Sequence, residues 1–163
     1  MFLTKLIHDA EQLLAACRAQ GLTLTTAESC TGGLIAALLT EIPGSSDVVV
    51  GGFITYANAA KNRMLGVDAA LIEMHGAVSE PVARAMAEGA LQASDASLAI
   101  AVTGIAGPGG ATPTKPVGLV HLACARVGHA TLHRTCHFSG DRSAVRFAAV
   151  KAALELMQLA LHQ

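Results

Sequence analysis

Charge is scarce in this chain of 163 residues. Only 14% are Asp, Glu, Lys or Arg, and 11 basic side chains against 12 acidic ones leave a net charge of −1. That balance excludes the basic footprint of a general nucleic-acid binder and the polybasic patch of a membrane-surface protein. Aromatic residues are nearly absent, with no Trp and a single tyrosine, Tyr56. No apolar run is long enough to span a bilayer, because the longest uncharged stretch, Ala96 to Thr114, is broken by Pro108, Pro113 and several glycines. The N-terminal residues reach Lys5, Asp9 and Glu11 before any apolar run of signal-peptide length, so secretion is not expected and a cytoplasmic location is the default. Cys17, Cys30, Cys124 and Cys136 form neither a C-x-x-C pair nor a dense framework, which predicts reduced and mostly buried thiols.

Small apolar side chains dominate instead. Hydrophobic residues make up 52% and mean hydropathy is +0.49, which excludes disorder and suits one domain over residues 1–163. So few charged side chains cannot cover a domain of this size, which predicts a homodimer or higher homo-oligomer. The alanine-dense stretches 83–93 and 144–153 are candidate contact faces.

Periodicity predicts an amphipathic helix over 2–19, a short strand Leu22–Ala27, a helix Thr31–Ile42 closed by Pro43-Gly44, and a buried strand Val48–Tyr56. A short helix Ala57–Leu65 and a helix Ser79–Ala93 follow, the latter with Ser79 as cap and Pro81 in its first turn. Ser97–Thr103 reads as a buried strand, Val117–Arg126 and Ala130–Phe138 as a hairpin, and Asp141–Leu161 as a long helix. That helix has two apolar seams, one through Val145, Ala152, Leu156 and Leu159, the other through Phe147, Val150, Leu154 and Met157. The order points to an α/β layered sandwich with a mixed sheet.

The segment TTAESCTGG places Ser29 where strand gives way to helix, with Thr31, Gly32 and Gly33 opening that helix. Free amides at a helix start can serve an acyl-transfer oxyanion, so Ser29 is a candidate nucleophile. The alternatives are a simple helix cap at Ser29 or Thr31, or Cys30 as the nucleophile. No histidine is assured near the turn. Lys61, five residues after Tyr56, is a candidate base if desolvation lowers its pKa, and Tyr56 could orient its ammonium or relay its proton. A solvated lysine on a helix face is the plainer alternative. The loop TGIAGPGGATPTKPVG, with Gly104 and Gly107, could wrap a phosphate or carbonyl with its amides, although no Walker G-K-[ST] follows. Arg142 would add a cation at the last helix N-terminus, or else pair with Asp141. His129, His133 and His137 share strand parity but lie about 13 Å apart from each one to the next, too far for one ion. Only a particular hairpin register would bring His121 to them.

Five blocks in order, TAESCTGG (26–33), GGFITYANAAKNRMLGV (51–67), HGAVSEPVARAMAEGA (75–90), TGIAGPGG with KPVG (103–118) and FSGDR (138–142), resemble the CinA C-terminal-domain family, the nicotinamide-nucleotide amidohydrolases. The resemblance covers nearly the whole chain. It implies a three-layer α/β/α fold and metal-free, cofactor-free hydrolysis of nicotinamide mononucleotide, a small nucleotide substrate, to nicotinate mononucleotide and ammonia. It also implies Ser29 as nucleophile, Tyr56 and Lys61 as its partners, and Thr103 and Arg142 lining the substrate site. Two positions depart from the family pattern: Ala59 stands where an acidic residue is usual, and 110–114 read Gly-Ala-Thr-Pro-Thr rather than Gly-Gly-Thr-Pro-Glu. The pyrophosphatase-like companion domain of longer members is missing from these residues, so its activity is not expected here. A catalytically silent nucleotide-binding module and a Ser-Lys hydrolase of another amide are the competing readings.

Overall fold

In the computed structural model, which describes residues 2–163, one five-stranded sheet organises everything else. Its strands are β1 (Leu24–Glu28), β2 (Val49–Ile54), β3 (Leu98–Gly104), β4 (Leu119–Arg126) and β5 (Leu132–His137), in the spatial order β2-β1-β3-β4-β5. β1 runs parallel to both β2 and β3, while β3, β4 and β5 are antiparallel, so the sheet is mixed and the predicted hairpin forms. The helices are α1 (Thr4–Ala19), α2 (Leu34–Thr40), α3 (Asn58–Leu65), α4 (Ala69–His75), α5 (Glu80–Gln92) and α6 (Arg142–Ala160). None among the described residues is long and apolar enough to cross a membrane.

Strand alternation sorts the side chains into two unlike faces. One face presents Leu24, Leu98, Ile100, Val102, Val120 and Leu122 to α1, α2 and α6. The other presents mainly alanine, at Ala27, Ala99, Ala101, Ala123 and Ala125, to α3, α4 and α5. Helices on both faces make the three layers that the resemblance implied. All four cysteines are free, and three of them are buried.

Several elements differ from expectation. The helix expected from Thr31 begins only at Leu34, because Gly32 and Gly33 adopt φ of 60° and 98° and form a turn first. β2 is not a buried strand but the open edge of the sheet, with Val50, Gly51, Gly52 and Ile54 exposed. α4 has no counterpart in the sequence reading. Ser79 does not cap α5, since its hydroxyl donates to Gly76 O at 2.8 Å. In α6, Val145, Val150, Ala152, Leu154, Leu156 and Met157 are buried as expected, but Phe147 and Leu159 lie exposed.

The alanine-dense stretches are also largely used internally. Ala83, Ala87 and Ala90 of α5 and Ala149, Ala152 and Ala153 of α6 are buried within the chain, which removes most of those faces as contact surfaces.

The alanine face lets α5 sit close to its neighbours, and Gly89 marks the tightest point. A Cβ there would lie 1.9 Å from Leu65 O, a backbone atom that cannot swing away. Alanine gains about 1 kcal/mol of helix propensity over glycine, whereas overpacking of this kind costs about 1–3 kcal/mol or more. Steric cost therefore wins. Gly89→Ala is expected to lower Tm by about 4–8 °C, corresponding to roughly 2 kcal/mol in a domain of this size. An unchanged or raised Tm in a calorimetric scan would refute this close approach of α5 to α3.

Candidate active site

Two backbone bonds fix the site before any side chain is considered. At the end of β1 the Ser29 N–H donates to Val102 O at 3.0 Å, and the Thr55 N–H, just past β2, donates to Glu28 O at 2.8 Å. The ends of three parallel strands are thereby held side by side. Lys61 lies in the first turn of α3, and helical side chains lean toward the N-terminus, which carries its amine back over the end of β2. The Schellman-like close at Gly66 (φ 67°), whose N–H donates to Asn62 O while that of Val67 donates to Lys61 O, ends the helix about one turn later.

The Lys61 amine lies 3.1 Å from Ser29 Oγ, 2.8 Å from Thr55 O and 3.4 Å from Tyr56 O. At 1% exposure Lys61 is one of the largest fully buried side chains in the molecule, so the solvated-lysine alternative fails. Burial pushes its pKa below the usual lysine value. A neutral amine has two hydrogens and one lone pair. In that form its hydrogens go to the carbonyls of Thr55 and Tyr56 and its lone pair to the Ser29 hydroxyl proton, whereas an ammonium donates to all three oxygens. Ser29 itself is only 9% exposed. Cys30 is also buried, and burial raises its thiol to about 11, so it is no competing nucleophile.

Tyr56 plays a different part from the one expected. Its main-chain carbonyl accepts from Lys61, but its largely exposed phenol hydroxyl accepts from Arg142 Nη2 at 3.1 Å. No proton relay from the phenol to Lys61 is formed. Arg142 donates through Nη1 to Gly107 O at 2.8 Å, and among the described residues it enters no ion pair, with Asp141 or otherwise. Asp141 instead caps α6 by accepting from the Ala144 N–H. Arg142 is thereby tied to the glycine-rich loop through a carbonyl.

Of the amides expected to serve an oxyanion, those of Gly32 and Gly33 are already engaged. The Glu28 carboxylate, fully buried, accepts from the N–H groups of Gly33, Ile35 and Ala36 at 3.0, 3.1 and 2.9 Å. The Gly32 N–H donates to Ser29 O. Gly32 and Gly33 thus shape the turn and offer no free amide to a substrate. Thr31 is fully buried, and its hydroxyl has no partner among the described residues. Thr103, 1% exposed, donates to Ala77 O at 2.8 Å and so ties β3 to the segment before α5. Gly104 is a close-approach residue, where a Cβ would meet Leu119 O at 2.9 Å.

Sequence reasoning missed Glu28 and Arg146. Arg146, one turn beyond Arg142, donates to Cys30 O at 3.1 Å and to Thr31 O at 2.8 Å. The acid between a β-strand and a serine turn was the available signal, since a carboxylate there can reach the following helix N-terminus. Ala59 lines a concavity of about 430 Å³ between α3 and α4, together with Asn58, Asn62, Ile72 and Glu73. The histidines divide. The register does bring His121 to His133, with ring nitrogens 3.0 Å apart, and Glu80 lies 3.5 Å from the other nitrogen of His133. Among the described residues no group of three or more His, Cys, Asp or Glu side chains converges on a metal position.

Comparison with known proteins agrees with this architecture. The sequence model of the CinA C-terminal domain matches residues 7–161. A CinA-like protein of Mycolicibacterium vanbaalenii is 56% identical over 141 residues, 86% of this chain and 33% of that protein. One from Anaeromyxobacter dehalogenans is 53% identical over 150 residues, 91% of this chain and 36% of that protein. The chain spans about a third of the length of these curated relatives. Among solved structures, the competence/damage inducible protein CihA of Agrobacterium tumefaciens superposes with a TM-score of 0.96 at 49% identity, covering 100% of this chain and 99% of its own. A competence-damaged protein (CinA) superfamily member of Escherichia coli gives 0.91 at 34% identity, covering 100% of this chain and 94% of its own. With sequence and overall fold both matched over nearly its whole length, the chain belongs to the CinA C-terminal domain family.

Proposed function

We propose that the domain hydrolyses the carboxamide of nicotinamide mononucleotide to nicotinate mononucleotide and ammonia, with Ser29 as nucleophile and Lys61 as base. The observation that carries this reading is the buried Lys61 amine 3.1 Å from Ser29 Oγ. A silent nucleotide-binding module would give that contact no task. Ser29 Oγ attacks the carboxamide carbon while its proton passes to Lys61 Nζ. Lys61 then returns the proton to the departing nitrogen, so that ammonia leaves and an acyl ester remains on Ser29. Water attacks the ester, its proton again taken by Lys61, and nicotinate mononucleotide departs as Ser29 recovers its proton. Arg142 uses two of its five N–H donors on Gly107 O and Tyr56 OH, and the others serve the substrate phosphate. Thr103, Gly104 and Gly107 form the wall of that subsite. No metal or cofactor takes part, and the free, mostly buried thiols fit action in the cytoplasm.

The direct test is ammonia release from nicotinamide mononucleotide, with nicotinamide riboside and glutamine as controls. Ser29→Ala is expected to abolish turnover with a stability change of no more than about 1 kcal/mol. Activity within a few-fold of wild type would remove Ser29 from the nucleophile role. Lys61→Arg is expected to be nearly as damaging as Lys61→Ala, because a guanidinium stays charged and accepts no proton; an active arginine variant would mean that Lys61 supplies charge alone.

A pH series tests the same lysine through stability. Its folded pKa lies below the unfolded value, so the unfolded chain binds more protons between the two and stability rises with pH across that window. The stabilising effect is complete only above about 10.4 and is lost as pH falls through the folded pKa. The Tm difference between Lys61→Met and wild type is therefore expected to shift in favour of wild type between pH 7 and pH 9.5. A constant difference would contradict the lowered pKa.

We also infer a homo-oligomer, most simply a two-fold dimer. Its support is the uncharged open edge of β2, where Val50 and Ile54 are exposed beside Gly51 and Gly52. Light scattering during size exclusion is expected to show a multiple of 16.6 kDa, and a clean monomer mass would overturn this assignment.

A further inference from the structure

The turn that carries Ser29 is gripped by two opposite charges that make no contact with the Ser29–Lys61 pair. From the strand side, Glu28 lies immediately before Ser29, fully buried, and its two carboxylate oxygens accept three N–H groups at the start of α2. From the opposite layer, Arg146 of α6 donates Nε and Nη2 to the carbonyls of Cys30 and Thr31. The amides after the turn are thus held by an anion and the carbonyls within it by a cation. Between them the Gly32 N–H closes on Ser29 O, and the Leu34 N–H on Thr31 O. The two glycines of this turn adopt left-handed φ, a backbone path open to glycine but strained for other residues.

We propose that Glu28 and Arg146 are the positioning residues of the nucleophile turn: together they fix Ser29 Oγ in the attack geometry relative to Lys61 without touching the substrate. The proposal rests on the reading of Ser29 as nucleophile. Charge-assisted bonds are short and directional, so the pair constrains the turn more tightly than neutral contacts would. An error of about 1 Å in the position of a reacting atom costs on the order of 100-fold in rate. Glutamine at position 28 keeps the shape but turns an NH₂ group toward the amides of α2. Lysine at position 146 keeps the charge but replaces two donor nitrogens in a fixed planar fork with one on a flexible stem. Each substitution loosens one side of the grip.

The experiment uses a probe that ignores the substrate subsite. Phenylmethanesulfonyl fluoride reacts with an activated serine by forming an O–S bond as the S–F bond breaks; fluoride leaves and the serine proton goes to Lys61. The rate is followed as the mass increase of the intact protein, with Ser29→Ala as the blank. Glu28→Gln and Arg146→Lys are expected to react about 10- to 100-fold more slowly than wild type, while the pH at which the rate is half-maximal, set by Lys61, stays in place. Arg146→Met, which retains the length of the stem, should match or exceed the Arg146→Lys loss. Far-ultraviolet circular dichroism and thermal melts confirm that each variant compared is folded. Should one fail to fold, the others still decide the outcome.

Folded variants that react within about two-fold of wild type would overturn the positioning roles, even if their Tm had fallen. A displaced pH midpoint would also overturn them, because the substitutions would then be acting through Lys61. If wild type is labelled at Ser29 yet releases no ammonia from nicotinamide mononucleotide, the amidase reading fails and the positioning roles stand. Absence of labelling in wild type overturns both.

Discussion

A lysine amine kept out of water is the constraint on which the rest of this structure depends. Lys61 is 1% exposed, and a charged amine at such a depth is unfavourable unless its hydrogens are matched by acceptors. The acceptors are the main-chain carbonyls of Thr55 and Tyr56, which are in place only because β2 pairs with β1 and the Thr55 N–H bonds to Glu28 O. Ser29 in turn is placed by its own N–H on β3. The relation of Ser29 to Lys61 is therefore a property of the parallel register of three strands, with α3 adding only the direction in which Lys61 leans.

The composition of the sheet makes that arrangement compact. On one side, leucine, isoleucine and valine fill the space beneath α1, α2 and α6. On the other, alanines leave so little depth that α5 approaches α3 until Gly89 has no room for a methyl group. The high alanine content read from the sequence as a sign of surface for other chains is largely consumed here, in close helix-to-sheet packing. Composition cannot distinguish those two uses of alanine, because both require a small side chain facing a close neighbour.

The order of strands and helices was legible because apolar periodicity records which face is buried, and it recovered the mixed sheet with its hairpin. Its errors fall where local signals compete. Gly32 and Gly33 delayed α2 because the turn requires left-handed φ, and β2 looked buried because Val48–Ile54 is uncharged although it forms an edge. α4 is too short for its period to stand out. In the site, Ser29 and Lys61 were legible as chemistry-bearing residues in local context, whereas the contacts of Arg146 with Cys30 and Thr31 cross more than a hundred residues. The phenol of Tyr56 was misassigned for the same reason: its partner Arg142 is 86 residues away. The role of Thr103 came only from family resemblance, and the structure engages its hydroxyl with Ala77 O.

The cations at the site share one feature. Away from it, Lys5, Arg18, Arg84, Arg134 and Lys151 pair with carboxylates, while Lys115 and Arg126 donate to carbonyls. At the site, Lys61, Arg142 and Arg146 bond to carbonyls and hydroxyls, and among the described residues none of them has a carboxylate partner. The difference matters because a carboxylate beside Lys61 would favour the ammonium and raise its pKa, opposing the effect of burial. Carbonyl dipoles satisfy the hydrogens of the amine while adding no net negative charge. The one buried acid nearby, Glu28, faces away into the amides of α2, where the helix start balances it. An amine able to take a proton and an arginine with donors to spare can thus stand at the same sheet end, as the proposed turnover of an anionic amide requires.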